Sequence, residues 1–285
     1  MRFNIALCNT VTEPMIDIMM STFNGARFLS EQIDSILSQD HAEFRLLVRD
    51  DGSSDDTIGI LNAYASRDRR VVRLNDELGN LGASASFFVL IARSEANLLM
   101  LSDQDDAWLP DKISRTLDRM NDLIEQHGNE TPLAVFTDLK VVDENLEVVN
   151  ESFWEYQKLD PSISRDWRSL LAQNVVTGCT LMINRASKSA VLPCELSGMQ
   201  HDHWIAAKIA KLGHIGFVAE PTVLYRQHGA NVEGARKVDL FYLFSKMLKL
   251  PAAISAYRRT ARTFGDISAA RLIGKKLALN LKRLS

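Results

Sequence analysis

Three aspartates stand within four positions in the segment SDQDDAWLPDK, residues 102–112. Asp103 and Asp105 form a D-x-D motif with Asp106 beside them, directly after the mostly apolar run NLLML. Carboxylates this close repel one another unless a cation or a proton lies among them. Oxygen ligands at this spacing suit Mg²⁺ or Mn²⁺, which usually share their shell with substrate phosphates. The alternative is an acidic helix start, stabilised by the dipole of the helix that follows.

A second acidic pair, Asp50-Asp51, ends the apolar run FRLLVRD. A carboxylate at a strand end can accept a hydrogen bond from a base N–H or a ribose hydroxyl. The alternative is an ordinary turn, because D-G-S is common turn chemistry. The sequence contains neither G-x-G-x-x-G nor G-x-x-x-x-G-K-[ST], which argues against dehydrogenases and P-loop kinases.

The histidines of HDHW, with His214 further along, allow a zinc site to be considered. His201 and His203 lie two positions apart and diverge on a helix, and no cysteine is near them. The three cysteines of the chain are far apart and form no C-x-x-C pair, so neither zinc nor redox chemistry is expected from them. This cysteine usage favours a reducing cytoplasm.

The first half of the chain alternates short apolar runs with helical patterns. Predicted strands are IDIMMST, FRLLVRD, RVVRLND, NLLMLS and LAVFTDLKVVD, with helices between them, the last of these carrying Pro110 in its first turn. This alternation predicts an α/β fold with right-handed βαβ units and a mainly parallel sheet covered on both faces. Because ligands bind beyond the carboxyl ends of such strands, the polar clusters at 21–25, 50–53 and 102–106 should meet at one edge.

The second half is less regular. VTGCTLMINR predicts a strand, HDHWIAAKIAKLG a helix, and HIGFVAEPTVLYRQHG one or two strands. The sequence therefore predicts a single large α/β domain over residues 15–235. A short extension, residues 1–14, precedes it, and a basic amphipathic helical tail, residues 236–285, follows it.

Composition limits the classes of function. With 285 residues and 46% hydrophobic content, the chain can bury a substantial core. A net charge of −3 gives no reason to expect nucleic acid as a partner. No apolar run reaches the roughly eighteen residues of a membrane span, and the N-terminus is too polar for a secretory signal. We therefore expect a cytoplasmic protein.

The tail differs in charge from the rest of the chain. It carries twelve Lys or Arg against two Asp, a local charge of +10, which leaves −13 on the first 235 residues. The runs VDLFYLFSKMLKL and ISAARLIGKKLALNLKRLS place apolar residues on one helical face, with cations beside them. Such helices suit the surface of an anionic membrane. A helical cap on the domain and a homodimer contact are the alternatives.

Six segments in order resemble the successive motifs of family 2 glycosyltransferases with the GT-A fold. They are STFNG, RDDGSSDDT, NLGASASF, SDQDDAWLPDK, the His201-Asp202 pair and YRQHGAN, spanning about residues 16–234. The likeness is strongest to bacterial rhamnosyltransferase-like members that build surface polysaccharides. It implies inverting transfer of a sugar, rhamnose being one candidate, from a nucleotide-diphosphate donor to a saccharide acceptor. In such enzymes the acceptor is often lipid-linked and lies at the inner face of the membrane.

The resemblance also implies roles for individual residues. Asp103 and Asp105 would bind the Mg²⁺ or Mn²⁺ that bridges the donor diphosphate, with His228 as a third metal ligand. The remaining donor-binding residues would be Ser21, Thr22, Asp51, Asn80 and Gln104, the last at the ribose. Many members have an acidic pair before the acceptor helix, whereas this chain has His201-Asp202. Asp202 would therefore act as the catalytic base, and the role of His201 stays open.

Three rival interpretations remain. A sugar-nucleotide nucleotidyltransferase would share the sheet and the metal carboxylates, but usually has a Gly-rich, basic phosphate loop where this chain has STFNGARF. A non-catalytic, glycosyltransferase-like binding subunit would be expected to lack metal or base residues, and these are present. A phosphoacceptor receiver domain would use Asp50-Asp51 but leaves the later motifs unexplained.

Overall fold

The computed structural model describes residues 16–195, 198–229 and 250–283. The predicted N-terminal extension and the amphipathic run VDLFYLFSKMLKL lie outside these residues, apart from the last leucine of that run. Within the described residues, the helices are too short or too polar to cross a lipid bilayer.

The first half of the chain forms parallel strands joined by helices, as the alternating pattern predicts. The strands are β1 (Ile16–Thr22), β2 (Phe44–Asp50), β3 (Val71–Arg73) and β4 (Leu98–Ser102). The connecting helices are α1 (Leu29–Leu37), α2 (Thr57–Arg67) and α3 (Ala83–Arg93). Strand β1 pairs in parallel with both β2 and β4, and β3 pairs in parallel with β2 at the edge. Strand β3 is shorter than predicted, because only three of its residues pair with β2.

The second half extends the same sheet with mixed directions. Its strands are β5 (Ala107–Trp108), β6 (Leu133–Val142), β7 (Val148–Asn150), β8 (Met182–Asn184) and β9 (His214–Arg226). Its helices are α4 (Lys112–His127), α5 (Phe153–Gln157), α6 (Trp167–Ala172), α7 (Ala186–Val191) and α8 (His201–Leu212). The order across the sheet is β3-β2-β1-β4-β8-β6-β9-β5, and β7 pairs with β6. Strand β8 is antiparallel to both of its neighbours.

Two predicted boundaries need correction. Helix α4 begins at Lys112, so Pro110 precedes the helix instead of lying in its first turn. The predicted strand VTGCTLMINR is a 3-10 turn at Gly178–Thr180 followed by the three residues of β8. The run from His214 to Arg226 is one strand, β9, whose register against β6 shifts between Thr137 and Lys140.

The described part of the tail is a helical hairpin, α9 (Leu250–Phe264) and α10 (Ala269–Lys282), which packs on the domain. The Phe264 ring lies 5.5 Å from Trp204 of α8 and 6.2 Å from Trp167 of α6, measured between centroids. Leu272 is fully buried, and the Lys275 ammonium contacts Asp166 at 2.6 Å. The apolar residues of α10 therefore divide between an inner face, which packs on the domain, and an outer face.

Candidate active site

The three polar clusters predicted at strand ends meet at one edge of the sheet. The backbone N–H of Asp51 donates to the carbonyl of Thr22 at 2.7 Å, and the Thr22 hydroxyl donates to Asp50 at 3.0 Å. The backbone N–H of Phe23 donates to the Gln104 side chain at 2.9 Å. These contacts join the ends of β1, β2 and β4, which confirms the expected convergence.

Asp51 is buried and anchors the loop that precedes α3. Its carboxylate accepts hydrogen bonds from the backbone N–H groups of Leu81 at 2.8 Å and Gly82 at 2.7 Å. The Asn80 amide donates to the Asp51 carbonyl at 2.8 Å. The Arg49 guanidinium pairs with the same carboxylate at 2.5 Å. The structure thus brings Asp51 and Asn80 together, while their role in binding a nucleoside stays a prediction.

Gln104 joins the end of β1 to the D-x-D segment. It accepts from the backbone N–H of Phe23 and donates to the carbonyl of the same residue at 3.1 Å. A Cβ atom on Gly25 would lie 2.2 Å from the Gln104 Oε1 atom, so only glycine leaves room for this contact. Ser21, also predicted to bind the donor, donates to the hydroxyl of Ser86 on α3 at 2.7 Å.

The aspartates after β4 form a crowded cluster. One ligand atom each from Asp103, Asp106 and Cys179 lies within 4.8 Å of the others. Burial raises the pKa of Asp103 to about 7, with further contributions from the charges of Asp105 and Asp202. The Asp106 carboxyl is fully buried, and burial and the neighbouring aspartates raise its pKa well above the usual value. Negative charge is therefore unfavourable here without a counter-ion.

His228 and Asp105 form a second part of the same cluster. The imidazole Nε2 of His228 lies 2.9 Å from the Asp105 carboxylate. Arg226, two residues earlier, is buried and donates to the Asp105 carbonyl at 2.8 Å, while its own backbone N–H donates to Asp106 at 3.1 Å. The end of β9 thus holds the D-x-D segment and places the predicted third metal ligand beside it.

The donor set fits a hard divalent cation. The Asp103 and Asp106 carboxylates lie close together, and the Asp105 carboxylate lies against the His228 imidazole. Such ligands suit Mn²⁺ and, for the oxygens, Mg²⁺. Apart from the nearby Cys179 thiol, the buried Oδ2 atom of Asp106 meets no hydrogen-bond donor within the described residues. A buried carboxylate oxygen with only a thiol beside it is the kind of group that a cation would satisfy.

Asp202 lies in the first turn of α8, where the helix dipole favours a carboxylate. Its Oδ1 atom accepts from the backbone N–H of His203 at 2.6 Å, and its Oδ2 atom from the Asn174 amide at 3.2 Å. The negative charge of Asp202 contributes to the raised pKa of Asp103. One carboxylate from a separate helix is therefore close enough to the acidic cluster for its charge to affect the pKa of Asp103.

The two histidines beside Asp202 have different neighbours. His201 stacks on Phe87 with ring centroids 4.4 Å apart, and its Nδ1 atom lies 3.4 Å from the Ser84 hydroxyl. His203 Nε2 lies 2.7 Å from the carbonyl of Leu170. Burial lowers the pKa of each imidazole to about 4, so both are neutral near pH 7.

Two residues of this site, Arg226 and Asn174, had no role predicted from the sequence, and Asp106 was noted only as the neighbour of the D-x-D motif. Arg226 lies inside the recognised motif YRQHGAN, so its motif position was a usable signal. Asn174 lies in a segment with no recognisable pattern, and only its spatial position next to Asp202 identifies it.

Comparison with known proteins finds similar sequences among glycosyltransferases. Residues 17–125 match the model of the glycosyl transferase family 2. An uncharacterized glycosyltransferase of Nostoc sp. is 25% identical over 223 residues, covering 76% of this chain and 66% of the relative. The dTDP-rhamnosyl transferase RfbG of Shigella flexneri is 24% identical over 229 residues, covering 76% of this chain and 74% of the relative. The chain thus spans about two thirds to three quarters of the length of these relatives.

Among solved structures, the mannosyltransferase PcManGT from Pyrobaculum calidifontis, in complex with GDP-Man and Mn²⁺, superposes with a TM-score of 0.60. The match covers 96% of this chain and 70% of that chain at 15% sequence identity, so it bears on the fold alone. The segment that matches the family model, residues 17–125, contains all but the first residue of β1, strands β2 to β4, the D-x-D motif and most of α4. Residues 17–125 are therefore similar to family 2 glycosyltransferases, and the fold is the GT-A fold of the solved glycosyltransferases.

Proposed function

We propose that the chain is an inverting glycosyltransferase that moves a sugar from a nucleotide-diphosphate donor to a saccharide acceptor. The observation that carries the proposal is the pairing of an acidic cluster at the sheet edge with one separate carboxylate, Asp202, close to it. Transfer with inversion needs a binding site for the leaving diphosphate and one base for the attacking hydroxyl. The two groups of residues correspond to these two requirements.

In the proposed reaction, Asp202 takes the proton of the acceptor hydroxyl. The hydroxyl oxygen then forms a bond to the anomeric carbon of the donor sugar, on the face opposite the diphosphate. The bond from that carbon to the diphosphate oxygen breaks, and its electron pair leaves with the diphosphate. A single displacement of this kind inverts the configuration at the sugar carbon.

Asp103, Asp105 and His228 are the residues that would hold Mg²⁺ or Mn²⁺, with the Asp106 carboxylate close to Asp103 and with Arg226 keeping the segment in place. When bound, such an ion supplies positive charge that stabilises the departing diphosphate. Ser21, Thr22, Asp51, Asn80 and Gln104 would bind the nucleoside part of the donor. Similarity to a dTDP-rhamnosyl transferase over 76% of the chain supports dTDP-rhamnose as the first donor to test.

Replacing the proposed base tests the mechanism. Asp202→Asn keeps the side-chain size but removes the proton acceptor, so we expect transfer to fall on the order of 100-fold to 10,000-fold. Nucleoside diphosphate should still raise the melting temperature in the presence of Mn²⁺, because ligand binding stabilises the folded state. Sugar transfer and thermal shift, measured with dTDP, UDP and GDP and their sugars, are the two readouts.

Asp105→Ala is the complementary variant. It should lose the Mn²⁺-dependent thermal shift, because the D-x-D carboxylate is gone, while the fold stays intact. Full transfer by Asp202→Asn would exclude Asp202 as the base. A nucleotide shift in wild-type protein without any transfer to saccharide acceptors would instead favour a binding subunit.

We further propose that the acceptor is lipid-linked, as in O-antigen or capsule assembly, and that the tail touches the inner face of the membrane. The outer face of α10 exposes Leu277 and Leu281, at 42% and 66%. Arg258, Arg259 and Arg262 of α9 are also exposed, and Asp266 is the single acidic residue of 250–283. Exposed arginines and exposed apolar side chains on one helical hairpin suit an anionic lipid surface.

Vesicle binding tests this surface. The intact chain should sediment with phosphatidylglycerol vesicles and much less with phosphatidylcholine vesicles, and salt should weaken the binding. Leu277→Ser with Leu281→Ser, and separately Arg258→Glu with Arg259→Glu, should each reduce binding without lowering the melting temperature. Equal sedimentation of wild type and both variants would reject the proposal. A concentration-dependent dimer that the same substitutions dissociate would assign the face to a homodimer.

A further inference from the structure

Asn174 lies in the segment between α6 and the 3-10 turn at Gly178, and contacts the Asp202 carboxylate from outside α8. Its amide nitrogen donates to Asp202 Oδ2 at 3.2 Å and to the carbonyl of Val176 at 2.8 Å. Its amide oxygen accepts from the backbone N–H of Val176 at 3.1 Å. The side chain therefore bridges its own backbone segment and the first turn of α8.

The orientation of this amide is fixed by its surroundings. Rotating it by 180° would turn its oxygen toward two acceptors, the Val176 carbonyl and the Asp202 carboxylate. The same rotation would set the NH₂ group against the Val176 N–H. Both changes replace hydrogen bonds with repulsion, so the network assigns the donor side of Asn174 to Asp202.

We propose that Asn174 is a positioning residue that holds Asp202 ionised and oriented toward the acceptor hydroxyl. The inference rests on the proposed function, in which Asp202 is the catalytic base. A neutral amide donor favours the charged form of a carboxylate without supplying a competing proton. Together with the His203 N–H on Oδ1, it restrains both oxygens of the carboxylate.

The titratable groups around Asp202 explain why an uncharged hydrogen-bond donor would favour its ionised form. The charges of Asp103 and Asp202 oppose each other, while His201 and His203 of the Asp202 helix are neutral near pH 7. Lys276 of α10 acts on His203, where its charge helps to lower the pKa of that imidazole. Asn174 thus supports the ionised form of Asp202 in surroundings where Asp103 opposes it.

A carboxyl titration by ¹³C NMR tests the contact directly and needs no substrate. The chain is labelled at aspartate carboxyl carbons, and the Asp202→Asn variant assigns the Asp202 signal. We expect Asn174→Ala to raise the midpoint of that signal on the order of one pH unit, since a hydrogen bond to the charged form is lost. Gln173→Ala, which removes the adjacent carboxamide, should leave the midpoint unchanged.

Asn174→Asp is the second variant, because it keeps the side-chain size and the acceptor for the Val176 N–H. It replaces the donor by a like charge, so the Asp202 midpoint should rise further than in Asn174→Ala. In transfer assays, both Asn174 variants should lower kcat and leave the donor KM unchanged. An Asp202 midpoint that stays at the wild-type value in both variants overturns the inference, even if Asp202 is the base. Full transfer by Asp202→Asn, with a shifted midpoint in the Asn174 variants, would overturn the proposed function alone.

Discussion

Arg49 shows how one buried side chain organises the loop beside Asp51. It is 1% exposed and lies between the carboxylates of Asp51 at 2.5 Å and Asp76 at 2.8 Å. It also donates to the Gly79 carbonyl at 2.8 Å. Ion pairs that are out of water depend on both partners, because a single remaining charge is left without compensation.

We therefore expect Arg49→Met to lower the free energy of unfolding by about 3–5 kcal/mol, since Asp51 and Asp76 would lose their shared cation. Arg115→Met is the matched control, because the Arg115–Asp111 pair is surface-exposed and such pairs contribute about 1 kcal/mol or less. Urea denaturation measures both. Equal losses in the two variants would mean that the Arg49 cluster contributes no more than a surface pair.

At the scale of elements, the tail hairpin packs on the α/β domain. Phe264 of α9 is 4% exposed and packs between Trp167 and Trp204, so the hairpin covers the outer side of α8. Lys211 of α8 donates to the Phe264 carbonyl and pairs with Asp266 at 3.1 Å. Helix α8 carries Asp202 in its first turn, so the tail supports the helix that presents the proposed base.

Removing the Phe264 ring should leave a cavity against α8. We expect Phe264→Ala to lower the free energy of unfolding by about 3–5 kcal/mol, as large-to-small changes of buried aromatic residues do. Leu277→Ala on the exposed face of α10 should change it by less than about 0.5 kcal/mol. Urea denaturation measures the free energy of unfolding of both variants. If Phe264→Ala unfolded at the same urea concentration as Leu277→Ala, the hairpin would not be part of the cooperative unit.

At the scale of the whole molecule, stability depends on pH through groups whose pKa shifts have opposite effects on the free energy of unfolding. His201 and His203 have folded pKa values of about 4 against about 6.5 for an ordinary histidine, so the unfolded chain binds more protons between these values. Their contribution is complete above pH 6.5 and is lost as the pH falls toward 4. Asp103 acts in the opposite direction, because its raised pKa means that the folded state takes up a proton first as the pH falls.

Comparison of variants separates these effects. When the pH falls from 7 to 5, one histidine with these pKa values lowers the free energy of unfolding by about 2 kcal/mol. Wild-type protein should therefore lose about 2 kcal/mol more than His203→Gln over this interval. Urea denaturation at both pH values without divalent ions measures the difference. Identical pH dependence in the two proteins would show that His203 is not held neutral by the fold.

The sequence by itself determined the elements of the N-terminal half and the polar clusters at their ends. Strand β1 coincides with the run IDIMMST and β2 with FRLLVRD, because apolar periodicity and turn residues are local properties of the chain. Parallel strands then require their carboxyl ends to lie at one edge, so the convergence of the clusters also followed. Asp103, Asp105 and His228 were identified by motif; Asp105 lies 2.9 Å from His228, and its charge contributes to the raised pKa of Asp103.

Only the tertiary structure decided the contacts that join distant segments. Strand β8 lies between β4 and β6 and is antiparallel to both, although nothing in the sequence of its three residues predicts the direction of the strand. Arg226 reaches Asp105 across 121 positions, and Asn174 reaches Asp202 across 28. Tertiary packing likewise decided which face of α10 contacts the domain, because an apolar stripe does not indicate what it packs against. Such contacts depend on how whole elements pack together, and a local pattern does not encode that arrangement.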